Sequence, residues 1–290
     1  MQNWIYRYPP LETGVLLKRY KRFFADIQLT SGEVITAHCP NTGPMTGVST
    51  PGSLVKVSRS DNPKRKLPYT WEMIQVNDNE PTWVGVNTAL PNRVIKLALE
   101  QRLFPELADS YNEICCEVPY GKELKSRVDF LLKTTPIPLS AATEELALCD
   151  RPKDTTLKSD RIECPIYLEV KSVTLSQGNV ALFPDTVTTR GQKHLRELMA
   201  LLPQARAIML YFINRGDCLS FAPADSYDPV YGQLLREAVV QGVEVLPCRF
   251  EITPEGIRYL GLAEFLPMQP PVIATADVPV ATAHTELVES

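Results

Sequence analysis

Polar and apolar positions follow one another at two periods along this chain, and the change from one to the other comes near residue 88. Before it, residues 21–29, 33–39, 53–58, 70–76 and 82–86 are short runs of loose alternation, separated by breaks such as Thr30-Ser31-Gly32. A period of two with tight turns predicts strands. Five short strands in so small a segment predict a closed barrel of the oligonucleotide-binding (OB) type. Beyond it, residues 90–103 place Val94, Leu97 and Ala98 at helical spacing, with Pro91 in the first turn. Runs at 114–118, 127–132, 166–175, 207–213 and 243–250 read as strands. Two helices are predicted between the last three, one capped by Thr188 or Thr189 and reaching 202, the other spanning 229–241 and ended by Gly242. Strand, helix, strand, helix, strand implies right-handed parallel crossovers added to a hairpin layer. The expected class is therefore α/β, α+β overall: residues 1–87 an OB-like barrel and 88–260 a mixed-sheet domain with flanking helices. Residues 133–164 read as a mobile insertion, and the proline-, alanine- and threonine-rich stretch 261–290 as a disordered tail.

Charges fall inside two of these apolar strands. In Ile166-Tyr167-Leu168-Glu169-Val170-Lys171-Ser172, alternation puts Glu169 and Lys171 on one face and Val170 on the other. In Ser126-Arg127-Val128-Asp129-Phe130-Leu131-Leu132, Asp129 is enclosed in the same way. If the two strands are neighbours, Asp129, Glu169 and Lys171 converge. Two carboxylates can hold a hard divalent cation, and a lysine beside them can orient a water or neutralise charge on a phosphate. Glu-x-Lys alone is also what an ordinary surface ion pair looks like, worth at most ~1 kcal/mol. Asp129 shifts the balance, because a charge in an apolar strand is costly unless paired or metal-bound. Glu117, just before Pro119-Tyr120-Gly121, is a possible third acid or a solvent-facing strand residue.

The net charge of −4 conceals an asymmetry: residues 1–70 hold ten Lys/Arg against four Asp/Glu, a balance of +6, and the remainder a balance of −10. A polyanion is expected at the basic end. Lys18-Arg19-Tyr20-Lys21-Arg22-Phe23-Phe24 interleaves cations with aromatics, a pattern that suits tracking a backbone while stacking on bases. Arg59, Lys64, Arg65 and Lys66 mark a second basic segment, and Arg190 and His194, four apart on one helix face, could meet phosphate. Both basic segments are equally readable as solvated surface. Seven cysteines without a Cys-x-x-Cys pair and only three histidines argue against structural zinc and for a reducing compartment. His38 and Cys39 are sequence neighbours on a strand and face opposite ways, which argues against a nucleophile and base pair. No apolar run is long enough to span a membrane, and the first ten residues lack a secretory h-region, so a cytoplasmic protein is expected.

Several longer runs resemble a known family. These are His38-Cys39-Pro40-Asn41-Thr42-Gly43, residues 59–72, Val86-Asn87-Thr88-Ala89-Leu90-Pro91-Asn92-Arg93, Glu169-Val170-Lys171-Ser172-Val173-Thr174-Leu175, Phe183-Pro184-Asp185 and residues 190–198. Together they resemble the sugar fermentation stimulation protein A family over residues 13–260. Pro44 and Thr189 depart from it, standing where serine and glutamate are usual. The resemblance implies an OB-type barrel followed by a PD-(D/E)xK nuclease-like domain in a DNA-binding protein linked to sugar utilisation. It implies a magnesium or manganese site at Asp129, Glu169 and the carbonyl of Val170, with Lys171 and Glu117 as further catalytic candidates. DNA is expected to be bound without strong sequence preference. The alternative is a DNA-binding regulator that keeps the nuclease scaffold without cleavage.

Overall fold

In the computed structural model, which describes residues 4–78, 80–121, 126–134 and 164–269, the chain forms seventeen strands and three helices. Strand β1 (Tyr6–Arg7) precedes the barrel, which is built from β2 (Leu11–Tyr20), β3 (Phe24–Leu29), β4 (Val34–His38), β5 (Leu54–Arg59) and β6 (Tyr69–Val76), with β7 (Thr82–Gly85) added to β6. The ring runs β4, β3, β2, β5, β6 and closes where His38 of β4 pairs in parallel with Thr70 of β6. Leu16, Ala25, Ile27, Val55, Val57 and Trp71 are fully buried inside it, and the Trp71 indole donates to the Met73 carbonyl at 3.0 Å. The run expected at 21–29 is β3, and strand β2 is not among the strands that the pattern predicts. Its inward positions include Gly14, which has no side chain to register in a hydrophobic alternation. A Cβ there would lie 2.5 Å from Ile27 Cγ2. Residues 21–23 are consequently a turn, not the start of a strand, with Lys21 and Arg22 at φ 47° and 63°.

The second unit follows the expected order: α1 (Leu90–Glu100), β8 (Glu113–Tyr120), β9 (Ser126–Lys133), β10 (Ile166–Val173), β11 (Ser176–Gln177), β12 (Val180–Phe183), α2 (Thr189–Met199), β13 (Arg206–Ile213), β14 (Ser220–Pro223), α3 (Pro229–Gln241), β15 (Glu244–Ile252), β16 (Gly256–Leu262) and β17 (Glu264–Phe265). β8, β9 and β10 form an antiparallel meander, and β10, β13 and β15 run parallel across α2 and α3. Helix α1 packs Val94, Ile95 and Leu99 on one face of the sheet with Phe130 and Leu168. Helices α2 and α3 cover the other face through Leu195, Leu198 and Leu235 against Met209 and Tyr211. Burial on both faces is what the near-continuous apolar run 207–213 encodes. Asp228 ahead of Pro229 and Gly242 at φ 109° fix the ends of α3 where the sequence places them.

Two sequence-based expectations change. The first residues do not belong to the barrel: β1 pairs with β16 in the seven-stranded sheet, and Ile5 enters its core. The stretch after 260 is ordered as far as it is described, with β16 running to Leu262 and β17 joining β11, β12 and β14 in a small sheet that the sequence does not announce. Strands of two to four residues carry too few positions to show a period. Nearly all of the expected insertion, residues 135–163, and the tail from 270 lie outside the described residues.

The barrel is docked on the second unit by polar contacts. Gly85 N–H donates to the Asn214 carbonyl at 3.0 Å, Arg215, paired within its own unit with Asp217 at 2.6 Å, reaches Asp78 at 2.7 Å, and Thr88 Oγ1 donates to the Pro40 carbonyl at 2.9 Å. The pairing of β1 with β16 allows no side chain at Gly256, where a Cβ would collide with the Tyr6 carbonyl and lie 2.9 Å from the Trp4 ring. Gly256→Ala is expected to lower the unfolding free energy by about 1–3 kcal/mol in urea melts. It should also make the N-terminal strand the first site of limited proteolysis; an unchanged melt and digest would contradict the pairing.

Candidate functional site

The site begins where two strands part. β10 pairs with β9 from Ile166 to Leu168, opposite Leu132 to Phe130, and the ladder ends there. At the next step the Asp129 side chain takes the place of the missing backbone acceptor, its Oδ2 accepting the Val170 N–H at 2.7 Å. The N–H and carbonyl of one strand residue face the same neighbour. The Val170 carbonyl therefore faces the same opening as Asp129. From the first turn of α1, Asn92 Nδ2 donates to Asp129 Oδ1 at 2.7 Å and fixes the carboxylate from the other side.

Glu169 and Lys171 point to the α2 face, as the alternation requires. Lys171 Nζ donates to Glu169 Oε1 at 2.7 Å, and His194 Nδ1 of α2 contacts the same oxygen and lies 3.1 Å from Lys171 Nζ. Arg190 Nε approaches His194 Nε2 at 3.4 Å. The Glu169 and Lys171 side chains are only 4% and 13% exposed, which removes the surface-pair reading. Glu169 Oε2 is buried with no hydrogen-bond partner. These groups line a cavity of about 460 Å³, whose rim also includes Thr42 of the barrel, Thr88, Pro91 and Ser172.

Burial, and then the Glu169 charge, raise the Asp129 carboxyl above its ordinary range despite the Val170 and Asn92 bonds. Burial also works to raise Glu169, but the His194 and Lys171 contacts outweigh it and hold that carboxyl below its usual value. One carboxylate is thus compensated and the other strained toward its neutral form. A cation between them would relieve the strain. Two carboxylates and a strand carbonyl form an all-oxygen donor set for a hard divalent ion, and the orphan Oε2 supplies an open ligand position. Among the described residues no group of three or more His, Cys, Asp or Glu is arranged around a metal site. Two carboxylates and one carbonyl would leave the remaining positions of such an ion to water.

Helix α2 is held in place by a residue that the sequence analysis does not single out. Asp228 caps α3, accepting the Tyr231 N–H at 2.9 Å, and also accepts the Thr188 N–H at 2.8 Å and Gln192 Nε2 at 3.0 Å. One buried carboxylate thus ties the starts of α2 and α3 together, and with them Arg190 and His194. Thr188, the first of the two candidate caps, accepts the Gly191 N–H at 3.1 Å. An Asp-Pro pair announces the cap of α3, but nothing in it announces the second helix.

Other expected residues fall differently. Glu117 is exposed at φ 53° and lines a second cavity of about 340 Å³, which shares Arg190 and His194 with the first but includes neither Asp129 nor Glu169. Arg19 is not free to meet a nucleic acid. Its guanidinium donates to the carbonyls of Asn41 at 2.9 Å, Gly43 at 2.8 Å, Arg22 at 3.3 Å and Pro44 at 3.4 Å. Arg65 turns back onto Thr70 Oγ1 at 2.7 Å, and Lys18 pairs with Asp26 at 3.3 Å. Lys21, Arg22, Lys64 and Lys66 are exposed, and Arg59 lies over the Tyr69 ring at 5.8 Å. Cys39 is fully buried, with its thiol pushed up by that burial.

A family profile described as the sugar fermentation stimulation protein RE domain matches residues 89–256, and one described as the SfsA N-terminal OB domain matches residues 17–86. The chain belongs to the sugar fermentation stimulation protein family. A sugar fermentation stimulation protein homolog of a Nostoc species is 66% identical over 266 residues, covering 92% of this chain and 100% of that protein. Another, from Nostoc punctiforme, is 65% identical over 264 residues, covering 91% and 99%. A Pyrococcus furiosus SfsA structure, solved in complex with Ca2+, superposes with a TM-score of 0.72 at 23% identity, covering 91% of this chain and 99% of that one. The family membership accords with the OB barrel and mixed-sheet unit of this fold.

The opposed carboxyl shifts generate a pH test in this sugar fermentation stimulation family member. A cation that binds only the folded form at a hundred times its Kd adds about 2.7 kcal/mol of stability. Protons compete for the same oxygens. Because the Asp129 carboxyl is raised, it protonates at a higher pH than a surface aspartate. The Tm increment given by Mn2+ should therefore appear as pH rises through that raised value and vanish below it. Without cation the sign reverses: ionising Asp129 opposes folding, so its contribution to stability falls as pH rises through the same window. Asp129→Asn should remove the Mn2+ increment at every pH; a full increment in that variant would place the ion elsewhere.

Proposed function

We propose that this protein is a divalent-metal-dependent phosphodiesterase acting on nucleic acid. The observation that carries the reading is the buried, unpartnered Glu169 Oε2, lying in one cavity with the strained Asp129 carboxylate and the Lys171 ammonium. The Ca2+ complex of the Pyrococcus furiosus SfsA supports a divalent ion in this fold. When bound, the ion would polarise the scissile phosphate as a Lewis acid. Asp129 and Glu169 would hold it, together with the Val170 carbonyl. Lys171 Nζ, anchored 2.7 Å from Glu169, is aimed to orient the attacking water or to donate to the phosphoryl oxygens as charge grows on them. Asn92 keeps Asp129 turned to the opening, and Arg190, on the rim, supplies a guanidinium for a neighbouring phosphate.

The substrate class follows from the barrel's charges. The turn carrying Lys21 and Arg22 is tied by Arg19 to the Asn41–Pro44 segment at the cavity rim, and Lys64 and Lys66 extend from the loop that leads to β6. Exposed cations on the barrel that contributes Thr42 to the cavity suit a polyanion bound through its backbone, without base readout. Lys64→Ala with Lys66→Ala should weaken DNA binding about equally across sequences and flatten the salt dependence by about one unit of slope per lysine removed. An unchanged slope would remove that loop from the interface.

A second reading, a DNA-binding regulator that does not cleave, draws on the direct Glu169 and Lys171 ion pair, which could be an end in itself. Labelled single- and double-stranded DNA incubated with Mg2+ or Mn2+ separates the two. Hydrolysis that needs metal and falls by a factor of about 10² or more in Lys171→Ala is the expected result. Binding without cleavage by the unaltered protein under all four conditions would favour the regulator.

A further inference from the structure

The cavity that holds the acidic pair is not made by the second unit alone. Thr42, from the barrel's connection between β4 and β5, lines it together with Arg190 and His194. Thr42 is exposed, and its hydroxyl has no partner among the described residues. The segment around it is fixed with unusual thoroughness for a surface loop. Arg19 collects the Asn41, Gly43 and Pro44 carbonyls on one guanidinium, Asn41 Oδ1 accepts the Gly43 N–H at 2.9 Å, and Thr88 holds the Pro40 carbonyl. In a trans peptide the carbonyl and the following N–H point in opposite directions. Turning the Asn41 carbonyl onto Arg19 therefore turns the Thr42 N–H away from it.

The second unit grips the same segment from the other side. Asp185 lies against Gly43, where a Cβ would sit 3.8 Å from its Oδ2. Its carboxyl is raised by burial and partly restored by the Met45 N–H and the Arg19 charge. Arg19 and Asp185, one from each unit, thus clamp five residues between them. Holding a loop in one conformation costs conformational entropy, about 1–2 kcal/mol per residue, which these contacts offset, so that Thr42 is presented to the cavity in a fixed position.

We propose that the barrel completes the catalytic cleft: Thr42 contacts the substrate phosphate through its hydroxyl and N–H, and Arg19 and Asp185 are positioning residues that hold it there. The proposal rests on the phosphodiesterase reading of the cavity. It gives the barrel a part in the reaction itself, beyond tethering a polyanion, and it explains why Arg19 is withdrawn from the basic surface. It also makes the relative placement of the two units a condition of substrate binding.

The test uses the full chain as unaltered protein and as Thr42→Val, Thr42→Ser and Asp185→Asn. Two readouts are compared: single-turnover cleavage of a labelled oligonucleotide with Mn2+, and calorimetric binding of thymidine 3′,5′-bisphosphate with Ca2+. A hydrogen bond to a charged phosphate corresponds to about tenfold or more in affinity. Thr42→Val should lose about that in both readouts with its Tm unchanged, and Thr42→Ser should recover most of it. Asp185→Asn should raise the half-saturating enzyme concentration in the single-turnover reaction more than it lowers the maximal cleavage rate. Equal cleavage and equal bisphosphate binding by Thr42→Val and the unaltered protein would overturn the proposal. If the unaltered protein cleaves nothing, the hydrolytic reading fails instead, and the bisphosphate comparison still decides whether Thr42 touches phosphate.

Discussion

The interaction on which the rest depends is the bond from the Val170 N–H to Asp129 Oδ2. A sheet interior satisfies its backbone groups strand to strand, and a buried N–H left over costs about as much as a lost hydrogen bond. Here the ladder between β9 and β10 stops, and a carboxylate does the work of a carbonyl. That exchange opens the sheet by a side chain's width, turns the Val170 carbonyl into the gap and brings a negative charge beside Glu169. The parting of the strands and the assembly of the acidic pair are one event.

The surroundings can be understood as compensation for that event. Lys171 and His194 gather on one oxygen of Glu169, while Asn92 and Val170 each take one oxygen of Asp129. The other Glu169 oxygen is left without a partner. An orphaned buried acceptor is costly, about 1–3 kcal/mol, and is tolerated where a ligand is to fill the position. Around this centre the fold invests in rigidity. Asp228 binds the starts of α2 and α3, α1 presents Asn92, and the barrel is locked against the sheet through Arg215, Asn214 and Asp185. A site that must hold its groups within a fraction of an ångström needs such support from its neighbours.

Much of this was legible in the sequence, for reasons that differ from residue to residue. Asp129, Glu169 and Lys171 stand out because a charge in an apolar strand contradicts its surroundings, and the alternation predicts which of them share a face. The ends of α3 are legible because Asp-Pro and glycine act locally. Strand β2 was hidden by Gly14 and by the cations at its end. The short strands of the small sheet have too little length to show a period. Arg19 was misjudged because its partners lie some 22 to 25 residues further along the chain, and a cation beside aromatics reads the same whether it faces solvent or its own loop. Glu117, readable in the sequence either as a third acid or as a solvent-facing strand residue, stands exposed, at a positive φ that breaks the regularity of β8.

The most direct test of the account is crystallographic: diffraction data collected at a wavelength where manganese scatters anomalously, from crystals of the full chain grown with Mn2+. The account predicts an anomalous peak within about 2.0–2.3 Å of an Asp129 oxygen, of Glu169 Oε2 and of the Val170 carbonyl. A fully ordered cavity with no peak, or a manganese ion bound only elsewhere, would contradict it.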